Sequence, residues 1–167
     1  MANPPKKKTK VYKRGRTLDK LEITVRKGAK KDISFVCAVE KLVFSDPWGE
    51  EAVDAHTESA HLCLFIAESG GEPVGYLLGS CIPPEGEIYR VASLPSMRRQ
   101  GIGRALCERF FSLSDDVYLE VRCHNAAARA LYEKLGFSLV GERKGYYKNP
   151  TEDACLYRRQ KDEDHRL

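Results

Sequence analysis

Between positions 98 and 104 the chain reads Arg98-Arg99-Gln100-Gly101-Ile102-Gly103-Arg104, three guanidinium groups interleaved with two glycines. Glycines at this spacing let the backbone turn so that several N–H groups converge, and a following helix adds the positive end of its dipole. All seven residues are candidates for a phosphate cradle. The segment is not a nucleoside-triphosphate loop, because no Lys-Ser/Thr pair follows Gly103. Nor is it a dinucleotide fingerprint, because Leu106 stands where a third glycine belongs. Taken alone, such a G-x-G also fits an ordinary tight turn. Two further residues downstream have chemical capacity. Glu120 is a carboxylate on a short apolar strand, where Val117, Leu119 and Val121 take one face and leave Tyr118, Glu120 and Arg122 on the other. The pattern by itself fits a surface carboxylate paired with an arginine better than a general base. Tyr132 lies on a helical stripe with Ala128, Leu131 and Leu135, where an aromatic is most often core. Its phenol, with an ordinary pKa near 10, also has the capacity of a general acid. Cys123-His124 suggests a thiol nucleophile, but neighbours at a strand end point apart, so none is expected.

These residues need a scaffold, and turn signals divide the chain into short alternating elements. A strand is predicted over 21–26, then a helix over 33–44 that starts at Asp32 and shows the stripe Phe35/Val36, Val39, Leu42/Val43. Ser45-Asp46-Pro47 restarts the chain into a second short helix ending near Glu58, with Glu50 and Glu51 in its opening turn. Strands over 61–68 and 74–82 flank a hairpin loop, and Pro83-Pro84-Glu85-Gly86 ends that pair. A strand over 87–94 leads through the glycine loop into a helix over 101–112. A strand over 117–122 follows, then a helix from the Asn125 cap to Leu135 with Gly136 as its left-handed stop, and two strands over 137–147 and 154–158. The order β-α-α-β-β-β-α-β-α-β-β predicts one α/β (α+β) domain: a mixed, mostly antiparallel sheet of about seven strands with helices on both faces.

Composition agrees with one domain. The 167 residues, 42% hydrophobic, suffice for one core but not for two ordinary domains. Residues 1–31 hold twelve Lys/Arg against two acids, and residues 32–167 hold sixteen against twenty-two, so a basic arm joins an acidic body. We expect a disordered arm over 1–20, a folded domain over 21–159 and a flexible tail over 160–167. The arm reads plainly as a solvated tail, and more sharply as a tether making phosphate contacts with RNA or the ribosome. No signal-peptide pattern and no run of about 20 apolar residues is present, which predicts a soluble, cytoplasmic protein. The six cysteines, 16 to 32 residues apart, show neither a C-x-x-C pair nor zinc-finger spacing. They are expected to be reduced, buried apolar residues with no bound metal.

Arg98-x-x-Gly101-x-Gly103 resembles the pyrophosphate loop of the GNAT acetyltransferase superfamily, and the element order is that superfamily's order. The stretches 119–128 (LEVRCHNAAA) and 130–137 (ALYEKLGF) closely resemble its bacterial ribosomal-protein-alanine N-acetyltransferases, the RimI type. Pro47-Trp48, Arg143, Tyr146-Tyr147 and Glu152-Asp153-Ala154 match further, so the similarity spans roughly residues 33–158. The sequence departs at Ser93-Leu94-Pro95, where Val-Asp-Pro is usual, and at His124, where Ser or Ala is common.

The resemblance implies acetyl-CoA as co-substrate and direct transfer to an amine. It makes Glu120 the general base, acting through water, and Tyr132 the general acid. It places the pantetheine arm along Val91, Ala92 and Ser93, with an N–H near Val91 polarising the thioester carbonyl, and it gives Asn125 a carrier contact beside its capping role. Trp48, Tyr146 and Tyr147 become candidates for the acceptor groove, although each also fits a packing aromatic. The expected acceptor is the N-terminal amine of a small-subunit ribosomal protein, a basic partner for an acidic body. A broader protein or small-amine acceptor is the nearest alternative. A noncatalytic RNA- or ribosome-binding module using the basic arm is the contrasting one.

Overall fold

The computed structural model describes residues 21–161. The basic arm and the last six residues lie outside this range, so the expectations placed on them do too. Seven strands form one sheet in the order β1-β2-β3-β4-β5-β7-β6. They are β1 (Ile23–Lys27), β2 (Leu62–Ser69), β3 (Glu72–Ile82), β4 (Glu85–Ser93), β5 (Asp116–Arg122), β6 (Ser138–Tyr147) and β7 (Glu152–Gln160). Four helices accompany them: α1 (Ile33–Val43), α2 (Glu50–Glu58), α3 (Ile102–Phe111) and α4 (Ala126–Lys134). The expected order holds, and boundaries shift by a few residues. β4 begins at Glu85, inside the segment expected to be a turn, and β7 reaches Gln160, one residue into the expected tail.

Two cores lie on opposite faces of the sheet. Val36 and Val39 of α1 and Val53 of α2 pack on Leu64, Ile66, Tyr76 and Leu78. Ile102, Leu106 and Phe110 of α3 and Tyr132 of α4 pack on Phe65, Leu77, Val117, Leu119 and Val121. Central strands buried on both faces need apolar residues throughout, which is why β2 and β3 read as continuous apolar runs. β5 instead alternates, because only its α3/α4 side is buried; Tyr118, Glu120 and Arg122 are half-buried on the other.

The sheet carries its opening at β4 and β5. Among the described residues this strand pair alone is parallel, and its register covers only Glu85 to Ile88 against Asp116 to Leu119. Beyond it the strands part. On its other side β4 stays bonded to β3, but the register shifts between Leu78 and Gly79. The extra residue resets the alternation. Thus Val91 turns to the α3/α4 core while Ala92 turns to the α1/α2 core. The Leu94 N–H donates to the Val74 carbonyl on β3, so by alternation the Val91 and Ser93 N–H groups face the gap.

One expectation is corrected. Cys123 and Cys155 are joined as a disulfide, with Cα atoms 5.2 Å apart. The antiparallel β5/β7 register sets Val121 against Cys155, which brings the end of β5 beside that residue; linear spacing gives no hint of it. The other four are free, Cys107 buried and Cys37, Cys63 and Cys81 half-buried. Burial pushes the thiols of Cys63 and Cys107 up to about 12, so both stay protonated and unreactive at neutral pH. A Glu142 carboxylate oxygen lies within 4.8 Å of the two paired sulfurs. Joined sulfurs are not the thiolates that zinc requires.

Candidate active site

The phosphate loop begins after a single 3-10 turn at Pro95–Met97. Arg98 is extended, Arg99 turns to φ 61°, and Gly101 takes φ 82° as the N-cap of α3. A left-handed residue at that point suits glycine, which has no Cβ penalty. The first N–H groups of α3 have no intrahelical partner and point out of the loop. Arg98 and Arg99 are exposed, and among the described residues neither pairs with a carboxylate. Arg104 is engaged with Glu108 at 2.7 Å. Ile102 is buried in the core, so of this candidate only the backbone remains available to a ligand. A Cβ on Gly103 would lie 3.0 Å from Leu131 Cδ2, so its glycine lets α3 approach α4 closely. Asn125 caps α4 by accepting the Ala128 N–H at 3.1 Å.

Tyr132 lies behind the gap, 8% exposed, edge-on to Phe137. Burial raises its phenol well above the ordinary tyrosine value, and the nearby Cys107 and Tyr147 add to the shift. It therefore holds its proton at neutral pH. Glu120 stands on the opposite, uncovered face of β5, its carboxylate 3.2 Å from Arg143. A hydrogen bond to Glu120, then burial, raises the Tyr146 phenol. Burial and the charge of Glu120 push Tyr147 up to about 12. The two tyrosines meet edge to face at 5.1 Å, Tyr146 exposed and Tyr147 half-buried. A cleft of about 390 Å³ opens on this face, bordered by Glu87 and Glu120, by Arg143 and by apolar Ile82, Val140 and Leu156.

Trp48 is half-buried between the helices α1 and α2, with Tyr89 6.0 Å and His56 5.6 Å away between ring centres. The fold thus gathers Glu120, Tyr146 and Tyr147 on the uncovered face and sets Tyr132 across the sheet. The arginine loop, Asn125 and the 91–93 backbone lie around the gap.

Sequence reasoning missed several groups. Glu87, exposed on β4, borders the same cleft, and partial desolvation, then the charge of Glu120, raises its carboxyl above its ordinary value while Arg143 opposes this. Arg122 donates to the carbonyls of Lys148 and Pro150 at 2.8 and 3.0 Å, and its guanidinium lies 4.6 Å from the Tyr147 ring centre. His56 is buried, with Nδ1 2.8 Å from the Ala52 carbonyl and Nε2 without a partner among the described residues. Glu40 is buried on α1, and Arg90 reaches toward it from β4. Only Glu40 left a signal: it is four residues after Val36, on the apolar stripe of its helix, where a charge is out of place.

Comparisons with known proteins agree with this geometry. Residues 33–137 match the model of the acetyltransferase (GNAT) family. The N-alpha-acetyltransferase RimI of Mycobacterium tuberculosis is 36% identical over 151 residues, covering 86% of this chain and 96% of that protein. The [ribosomal protein bS18]-alanine N-acetyltransferase of Escherichia coli K12 is 30% identical over 143 residues, covering 83% of this chain and 90% of that protein. The crystal structure of the ribosomal-protein-S18-alanine N-acetyltransferase from Escherichia coli superposes with a TM-score of 0.77 at 26% identity, covering 87% of this chain and 99% of that one. Among the described residues no helix is long and apolar enough to cross a membrane. A seven-stranded sheet parted beside a glycine-arginine loop, matched over most of its length, places the chain in the GNAT acetyltransferase family as an acetyl-CoA-dependent N-acetyltransferase.

Proposed function

We propose that the chain acetylates protein N-termini, with the N-terminal alanine of a small-subunit ribosomal protein as acceptor. The observation that carries this reading is the gap between β4 and β5, with Glu120 on one side of the sheet and the protonated Tyr132 on the other. The residues present fit acetyl-CoA. Arg98, Arg99 and Arg104, with the N–H groups of Gln100, Gly101, Ile102 and Gly103, suit its diphosphate. The free backbone edge at Val91 and Ser93 suits the pantetheine amides, whereas Ala92, expected to join them, turns its N–H and C=O toward β3 and only links the two; Asn125 follows β5 on the other side of the gap. Acetyl-CoA supplies an already activated thioester, so the protein's task is alignment and proton management.

Glu120, acting through water, takes the proton that the ammonium form must lose before its nitrogen bonds the acyl carbon, and the nitrogen's next proton leaves to solvent as the amide forms. The Val91 N–H polarises the carbonyl, and as the carbon–sulfur bond breaks the Tyr132 phenol delivers its proton to sulfur. Trp48, Tyr146 and Tyr147 border the path by which the amine enters. Protein N-termini are favoured as acceptors by the names of the mycobacterial and Escherichia coli relatives. The basic arm, if it contacts RNA, adds tethering to this enzyme rather than a separate function.

Incubation with labelled acetyl-CoA and peptides beginning with Ala, Ser, Met or Gly tests the acceptor. We expect label on the α-amine, strongest for Ala. Label confined to lysine side chains or small amines overturns the proposal in favour of a broader amine acetyltransferase. Tyr132→Phe is expected to lower kcat on the order of 100-fold while leaving the Kd for acetyl-CoA unchanged. Stopped-flow turnover with calorimetric binding checks this, and wild-type kcat would remove the acid role from Tyr132.

A further inference from the structure

Between Val43, the last residue of α1, and Glu50, the first of α2, residues 44–49 form an irregular loop that carries Trp48. Ser45, Asp46 and Pro47 are exposed, so packing alone does not fix its course. Charged groups from beneath do: Arg122 reaches Ser45 Oγ at 3.4 Å, and two others hold more of the loop. Glu40 is 0% exposed; its Oε2 accepts the Trp48 backbone N–H at 2.8 Å, and its Oε1 accepts the Tyr76 hydroxyl. Arg90, whose side chain is 10% exposed, places Nε 3.9 Å from Glu40 Oε2. It donates from its terminal nitrogen to the Asp46 carbonyl at 2.9 Å and lies 3.4 Å from the Asp46 carboxylate. Its guanidinium plane covers Phe44 at 4.2 Å and reaches Trp48 at 5.5 Å from the ring centres. One arginine and one carboxylate thus engage Phe44, Asp46 and Trp48, three of the loop's six residues.

A buried ion pair is a weak source of stability, since well-packed apolar residues of similar volume often do as well. Its geometric effect here is specific. Arg90 follows the bulge of β4, two residues past Ile88, where the ladder with β5 ends, and immediately before Val91. The same strand therefore presents a backbone edge to the gap and a guanidinium to the Trp48 loop.

We propose that Arg90, held by Glu40, is a positioning residue that fixes the Trp48 loop as one wall of the acceptor groove and so sets acceptor affinity without taking part in chemistry. The proposal rests on the amine entering past Trp48, as argued above. Trp48 is the only tryptophan in the chain, so its fluorescence reports the loop directly.

The test uses the full chain carrying Arg90→Met, which keeps the aliphatic stem and removes the fork. The double variant Glu40→Gln/Arg90→Met avoids leaving a buried charge unpaired, and Arg90→Lys serves as the conservative variant. The probe acceptor is an Ala-initiated octapeptide. We expect the acceptor KM to rise about tenfold, with kcat and the acetyl-CoA Kd within about twofold of wild type. Trp48 emission is expected to move to longer wavelength with increased acrylamide quenching, and Arg90→Lys to recover part of both changes. Unchanged Trp48 emission and unchanged acceptor KM would overturn the proposal. So would a parallel loss of acetyl-CoA affinity, which would mark Arg90 as a general support of the strand. Failure of the wild type to label any peptide sinks the acceptor assignment instead, and the Trp48 measurements still decide whether the clamp exists.

Discussion

Glu120→Gln is expected to reduce kcat/KM for the acceptor on the order of 10²- to 10⁴-fold at neutral pH, with acetyl-CoA binding retained. An α-amine with a pKa of roughly 7.7 to 8.0 is mostly protonated there, and the substitution removes the group that takes the proton away. Glutamine keeps the shape of the side chain and a hydrogen-bonding oxygen toward Arg143, whose nitrogen lies 3.2 Å from the carboxylate. The neighbouring Glu87 borders the same cleft, but it is exposed, and partial desolvation and the charge of Glu120 raise its carboxyl above its ordinary value. Removing the Glu120 charge relieves that push. Glu87→Gln alone is therefore expected to cost far less. The deficit of Glu120→Gln should shrink as pH rises, because more of the amine arrives already neutral. Steady-state kinetics across pH 6 to 10, on the order of a hundred-fold spread either side of the amine pKa, resolves this. Wild-type rates in the variant would leave Glu120 as no more than the partner of Arg143.

The second large effect is expected at the phosphate loop. Gly101 holds φ 82°, and a Cβ there meets nothing within 4 Å. The Cβ of Gly101→Val therefore enters open space, so the variant reads out chiefly the backbone conformation. A β-branched residue disfavours the left-handed region by about 1–3 kcal/mol, so the turn must either store that strain or flatten. Flattening scatters the N–H groups at the start of α3. We expect the Kd for acetyl-CoA to weaken about 10- to 100-fold, with thermal unfolding shifted by only a few degrees because the site is exposed. Calorimetry on the variant beside Gly101→Asn, which tolerates the conformation better, separates strain from lost flexibility. Equal affinity in all three proteins would mean that the loop's amides do not hold the carrier.

Much of this architecture was legible from residue pattern. The run of β2 and β3, the stripe of α1, the Asn125 cap and the Gly136 stop each follow from local rules, and Gly136 does take φ 90°. Alternation along β5 placed Glu120 on the uncovered face because burial on one side of a strand writes itself into every second residue. What stayed hidden depends on contacts between distant segments. The bulge of β4 has no marker in sequence, yet it decides that Arg90 faces the Trp48 loop. The Cys123–Cys155 bond follows from the pairing of β5 with β7 across 32 residues. Glu87 is an exposed acid, and nothing ties it to the site until the parallel register sets it against Tyr118 and so near Glu120.

The brevity of the β4/β5 ladder has a further consequence. Four registered residues are bonded, and after Ile88 the amides that face β5 have no partner strand. A buried amide without a partner is costly, so in solution water must occupy that edge until something else does. In the proposed binding mode, the amides of acetyl-CoA supply the missing rung of the sheet. The Val91 and Ser93 amide protons should exchange with deuterium rapidly in the free enzyme and slowly in the complex, while those of Arg90 and Ala92, turned toward β3, stay protected in both.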